Sequence, residues 1–263
     1  MDTNLYTNPD LYDVGVEKRN EAPLIDHYKR LFAGKQIKSI HDCSIGTGHL
    51  TFALADLGCS LSGSDLSEDM LRNARKRADD KGLDVDLVQS DFCLVDQVVR
   101  GQFDCVLSTG NSLPHVDNGR VKEALAAMVQ MTKPGGYVYV DLRNWDKIIA
   151  EKQRYVAYQP MILDEERVNI VQFWDHHSED HVCFNLLYTF ERNARIFKEE
   201  LKSVDYYPLK RDVLVKVLVD LGLEDIEVHH FVSQRDVPFE QMNWYCVMAK
   251  KPSDTSDAIS KNT

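Results

Sequence analysis

Small and polar residues interrupt the hydrophobic pattern of this chain just after residue 43. The stretch 37–43 reads as a strand; Ser44, Ile45, Gly46, Thr47 and Gly48 form a tight turn; Leu50, Ala53, Leu54 and Leu57 then recur at i, i+3, i+4 and i+7. The spacing predicts a helix over 48–57 closed by Gly58, with its N–H groups facing a ligand. A second strand over 60–64 ends at Asp65, and Ser67 caps a helix that carries Glu68 and Asp69 in its first turn and stops at Gly82. Strands at 85–89 and 103–107, a loop STGNSLPHV, a helix over 118–131, a Lys133-Pro134-Gly135-Gly136 turn and a strand over 137–142 continue the alternation. That alternation marks a parallel α/β sheet with helices on both faces.

The period then changes. From 151 to 206 the segments RVNIVQFW, VCFNLLYTF and EELKSVDYY alternate with period two and no helix between them, which predicts an inserted antiparallel layer. Leu214, Val217, Leu218 and Leu221 mark one more helix, and strands near 224–232 and 243–249 complete the core. The expected fold is therefore a Rossmann-like, seven-stranded, mostly parallel sheet with the antiparallel β layer inserted after strand five. Its segments are a mobile arm (1–22) and helix making up 1–36, a cofactor-binding core at 37–150, the inserted layer at 151–206, a return to the core at 207–251 and a disordered tail at 252–263.

Charge and composition narrow the function. A formal net charge of -11 argues against a protein that tracks nucleic-acid phosphates and mildly favours a cationic ligand. The start of the chain does not read as a signal peptide, and no apolar run approaches spanning length, so a cytoplasmic enzyme of small molecules is expected, with no membrane or nucleic-acid partner. The six cysteines form no C-x-x-C pair and read as free thiols. His176, His177, His181, His229 and His230 lack metal-site spacing, so no metal is expected.

Two cofactors compete for the turn. A dinucleotide fingerprint starting at Gly46 needs glycine at 51, where Thr51 stands, so a nicotinamide-dependent oxidoreductase matches only in part. S-adenosylmethionine (SAM) sites begin with an acidic residue, then small residues and G-x-G, which Asp42, Ser44, Gly46, Thr47 and Gly48 supply. Asp65 would accept both ribose hydroxyls, and Asp91 and Phe92 would meet the adenine. The plainer reading makes Asp65 and Asp91 turn residues.

The stretch 37–142 resembles class I SAM-dependent methyltransferases, and more closely the glycine and sarcosine N-methyltransferases. DCSIGTG, GNSLPHV at 110–116, KPGG followed by DLRNWD at 141–146 and, more weakly, SVDYYPLKRDVL at 203–214 carry the likeness. Ser44 departs from the usual glycine, and Asp91-Phe92 from Asn-Trp. The resemblance implies SAM contacts from Leu66, Met70, Thr109, Asn111 and His115, and catalytic roles for Asn111, His115 and Arg143. Arg143 would clamp an acceptor carboxylate, a planar bidentate match, unless it simply pairs with Asp141 or Asp146. Tyr188 and Tyr206 (or Tyr207) would line the acceptor pocket, or merely pack the sheet. Tyr12 and Arg19 would close over the cofactor carboxylate. The acceptor expected is the amine of a small amino acid, with another O-, S- or N-acceptor as the alternative, and relatives that assemble through their arms make a homo-oligomer possible. A non-catalytic SAM-binding module is a further rival. The basic run RNARKR at 72–77 reads as a solvated helix face.

Overall fold

The computed structural model describes residues 4–13, 21–163, 166–232 and 237–253. The N-terminal part contains α1 (Pro9–Asp13), α2 (Ala22–Leu31), β1 (Ser39–Asp42), β2 (Ser60–Asp65), α3 (Glu68–Lys81) and β3 (Val85–Gln89). Next come α4 (Val95–Val98), β4 (Phe103–Ser108), α5 (Val121–Met131), β5 (Thr132–Arg143) and α6 (Trp145–Glu151). The insertion contributes β6 (Tyr155–Ala157), β7 (Met161–Leu163), β8 (Glu166–His176), β9 (Val182–Arg192) and β10 (Arg195–Tyr206). The chain closes with α7 (Arg211–Asp220), β11 (Glu224–His230) and β12 (Trp244–Lys250).

Seven strands join in the order β11-β12-β5-β4-β1-β2-β3, and β12 runs antiparallel to both its neighbours. From β1 the chain winds to one edge, and from β4 to the other. The carboxyl ends of β1 and β4 are thus the switch point where open α/β sheets hold ligands. One face is covered by α5 and α7 through Leu125, Met128, Leu214 and Leu218; the other by α2 and α3 through Tyr28, Leu71 and Ala74. The expected doubly covered sheet is present.

Four expectations change. The helix expected over 48–57 is a short 3-10 helix, Phe52–Leu57, so no α-helix begins at the β1 turn. Gly46 and Gly48 lie at φ 55° and 80°, and Thr51 ties its hydroxyl to Asp42, which keeps this stretch a turn. Lys133–Gly136 is part of β5 rather than a turn before it. The arm, expected to be mobile, packs: Leu5 and Leu11 join Trp145, Trp174 and Phe184 in a third core beneath the antiparallel sheet. Asp13 anchors it further, accepting from Thr47 Oγ1 at 2.7 Å and pairing with Arg77 at 3.0 Å. Arg77 is therefore the member of the basic run that is not solvated; Arg72 and Arg75 do form exposed pairs. Arg19 and the tail from 254 lie outside the described residues.

The insertion forms a sheet ordered β10-β9-β8-β6, with β7 also on β8. Burial alternates along β8 and β9, and the inward set includes Val168, Ile170, Trp174, Phe184 and Leu186. Each such side chain contributes roughly 1.5–3 kcal/mol by leaving water. The inner face closes on the arm and α6, so the layer roofs the carboxyl end of the main sheet. No helix among the described residues is long and apolar enough to cross a membrane.

Candidate active site

Asp42 organises the switch point from below. It is fully buried, accepting from Ser44 N at 2.9 Å, from Thr109 Oγ1 at 2.7 Å and from Thr51 Oγ1. Ser44 crosses between the two strands: its Oγ accepts from Thr109 N at 3.0 Å and lies 3.2 Å from both Asp42 Oδ1 and Thr109 O. The serine that departs from the glycine motif thus stitches the β1 turn to the β4 loop. Gly48 is required sterically, because a Cβ there would sit 2.3 Å from the Phe52 ring.

Above this turn opens a cavity of about 780 Å³. Ser44, Gly46, Asp65, Leu66, Met70, Asp91, Phe92, Thr109 and His115 line it. Asp65 Oδ2 accepts from Gly46 N and Oδ1 from Ser67 N, each at 2.9 Å, which orients both oxygens. Burial pushes this carboxyl up to about 6. Asp91 caps the next short helix, accepting from Cys93 N at 2.8 Å. Among the described residues the wall carries carboxylates from Asp65, Glu68, Asp69, Asp91, Asp117 and Asp205, against the guanidinium of Arg120 alone. Such a wall favours cations.

After β4, Gly110 and Asn111 both take left-handed backbone, at φ 74° and 62°. Asn111 is wholly buried; its Oδ1 accepts from Arg143 N at 3.0 Å and from Trp145 Nε1 at 2.9 Å, while Nδ2 has no partner among the described residues. The Arg143 guanidinium lies 4.9 Å from the Trp244 ring, 5.3 Å from Trp174 and 5.8 Å from Phe184. Among the described residues no carboxylate pairs with it. Asp141 is fully buried and accepts from Gly110 N and Trp244 Nε1, and Asp146 accepts from Arg211 N. His115 stacks on Tyr206 with ring centres 4.3 Å apart. Its Nδ1 faces the Asp205 carbonyl at 3.1 Å and must carry the proton, so Nε2 accepts from Tyr6 OH at 2.7 Å. Burial lowers the imidazole to about 4.

Residues 40–136 match a family model described as a methyltransferase domain. The chain is 24% identical over 191 residues to a glycine/sarcosine N-methyltransferase of Halorhodospira halochloris, covering 72% of this chain and 67% of that one. It is also 24% identical over 228 residues to a glycine/sarcosine/dimethylglycine N-methyltransferase of Actinopolyspora halophila, a match spanning 84% of this chain but only 37% of the relative. A ubiquinone biosynthesis O-methyltransferase of Shewanella pealeana is 25% identical over 65% of this chain and 69% of its own length. Among solved structures, a SAM-dependent methyltransferase from Clostridium acetobutylicum superposes with TM-score 0.76 at 17% identity, over 93% of this chain and 97% of that one. The SAM-bound amino pentose methyltransferase CalS10 of Micromonospora echinaspora gives 0.73 at 15% identity, over 92% and 96%. The chain carries a methyltransferase domain over residues 40–136.

The residues present fit SAM, the ligand of the CalS10 structure. The Asp65 carboxylate opens on the cavity at the end of β2, and a Cβ on Gly46 would stand 3.4 Å from Met70 Cε, narrowing the cradle. Of the residues singled out from sequence, Asp42, Thr47, Gly48, Asn111, Arg143, Tyr188 and Tyr206 do not line the cavity. Asp42, Thr47 and Gly48 shape the methyltransferase turn from beneath. Asn111, Arg143 and Tyr206 form a second group behind His115, and Tyr188 sits in the buried face of β9. Tyr6, Ser67 and Arg120 line the cavity without having been foreseen. Only the tyrosines of the arm gave a signal, and Tyr12 does line the cavity.

Proposed function

We propose that this methyltransferase acts on the amine of a small amino acid such as glycine or sarcosine. The observation that carries the reading is the Arg143 guanidinium, held among three aromatic rings with no carboxylate partner among the described residues. A guanidinium so placed is a ready clamp for a substrate carboxylate. Similarity to the glycine/sarcosine enzymes supports it. Held between Gly46 and Asp65, SAM would supply a methyl carbon on a sulfonium for in-line attack by the acceptor nitrogen, the thioether leaving with the C–S electron pair. The chain's own contribution is positioning, which in well-oriented systems lowers a barrier by roughly 7–11 kcal/mol. Asn111 sets the main chain at Arg143, and Tyr6 and His115 orient the ground between donor and clamp. The acid-rich wall draws in the cationic amine, and the neutral fraction reacts.

Transfer of label from SAM into glycine, sarcosine and glycinamide by wild type and Arg143→Ala tests the reading. Removing a charge-assisted contact should raise KM for glycine roughly 10–150-fold and leave glycinamide unchanged. Equal effects on both amines overturn the clamp. Label appearing in a phenol but in no amine favours the hydroxyl acceptors suggested by the O-methyltransferase relative.

A further inference from the structure

We propose that Asp141 is a positioning residue whose one buried carboxylate sets the donor-side turn and the acceptor-side clamp in a common geometry. Its Oδ1 accepts from Gly110 N at 3.0 Å and from Trp244 Nε1 at 2.9 Å. Gly110 and Thr109 line the cofactor cavity; the Trp244 ring carries the Arg143 guanidinium at 4.9 Å and pairs with Arg143 in the β5–β12 register. The Asp141 carbonyl also accepts from Asn111 N at 3.2 Å. Two successive left-handed residues, one of them not glycine, are strained on their own, and these bonds hold them. The second oxygen, Oδ2, is buried without a hydrogen-bond partner among the described residues.

The titratable groups facing this carboxylate are Asp42 from β1, Tyr28 from α2, Tyr139 on its own strand and Cys246 from β12. None of these is a cation. Burial therefore pushes the carboxyl up to about 7, against the two N–H bonds that favour its ionised form. Only the ionised form accepts both bonds at full strength, so the geometry tightens as pH rises through that value.

The inference rests on the methyltransferase reading, but its first readout needs SAM alone. SAM affinity is measured by calorimetry from pH 5.5 to 8.5 for wild type, Asp141→Asn and Trp244→Phe, with circular dichroism to confirm folding. Wild type should bind about tenfold more weakly at pH 6 than at pH 8, consistent with loss of one charge-assisted bond. Asp141→Asn should lose the limb near 7 and keep only a fall near 6 from Asp65. Trp244→Phe keeps the ring but removes one donor to the ionised form, so it should fold and move the limb to higher pH. With glycine as acceptor, Trp244→Phe should also raise KM severalfold with kcat little changed. A limb unmoved by both variants overturns the proposal. Absence of glycine turnover with the limb behaving as stated overturns the acceptor instead.

Discussion

Replacing His115 with Gln separates an orienting histidine from a catalytic base. The ring bridges Asp205 O and Tyr6 OH and stacks on Tyr206 at 4.3 Å. Burial lowers it to about 4, so holding it charged at pH 7 requires roughly 4 kcal/mol. An α-amine of ordinary pKa near 8 would hand it a proton at a cost of roughly 5 kcal/mol, which makes the imidazole a poor proton sink. Gln keeps an acceptor for the Tyr6 hydroxyl and loses the bond to Asp205 and the stacked ring. One hydrogen bond at about 1 kcal/mol and one aromatic pair at about 0.5–1.5 kcal/mol give an expected stability loss near 2 kcal/mol. The fall in kcat should lie near 10–30-fold, below the 10²–10⁴ expected for removal of a general base. The assay is label transfer to glycine between pH 6 and 10, with SAM affinity in parallel. At saturating SAM and glycine the wild-type rate should follow the free amine, with no limb from the imidazole near 6.5. A thousandfold loss of kcat at unchanged SAM affinity refutes the reasoning.

Stability should climb by roughly 2 kcal/mol from pH 4.5 to 6.5 and level off above pH 7. His27, His41 and His115 are held neutral by burial, lowered to about 4, 3 and 4, so their contribution is intact above 6.5 and is lost as pH falls towards those values. Each pair of states differs by roughly 3 kcal/mol or more at pH 4. Asp65 and Asp141 act in the opposite sense: raised to about 6 and 7, they contribute stability at low pH that is lost as pH rises through those values. A urea-midpoint series that stays flat between pH 4.5 and 6.5 contradicts this balance. Gly48→Ala should destabilise by about 2–5 kcal/mol, the sum of left-handed strain at φ 80° and overlap with the Phe52 ring. A change below 1 kcal/mol in denaturant unfolding counts against it.

Local features were legible in the sequence, and features set by distant contacts were not. Ser67, Glu68 and Gly82 mark α3 because cap, dipole and left-handed stop are encoded within a few residues. Asp65 and Asp91 were readable as carboxylates at strand ends. The period-two segments gave the inserted sheet. Helical spacing after Gly48 misled because Thr51 bonds to Asp42 nine residues back and holds a turn. Tyr6 reaches the site because Leu5 and Leu11 find a core formed mostly beyond residue 144, which no local pattern announces. Asp141 stood only as an alternative surface partner for Arg143, beside Asp146; its partners in the structure, Gly110 and Trp244, lie 31 and 103 residues away.

The central claim is that the β1 turn and Asp65 hold SAM. Thermal unfolding with SAM or NAD at about 100 times Kd, for wild type and Asp65→Ala, tests it most directly. SAM should stabilise the wild type by about 2.7 kcal/mol and leave the variant unmoved, with NAD inert toward both. Stabilisation by NAD with none from SAM would contradict the account.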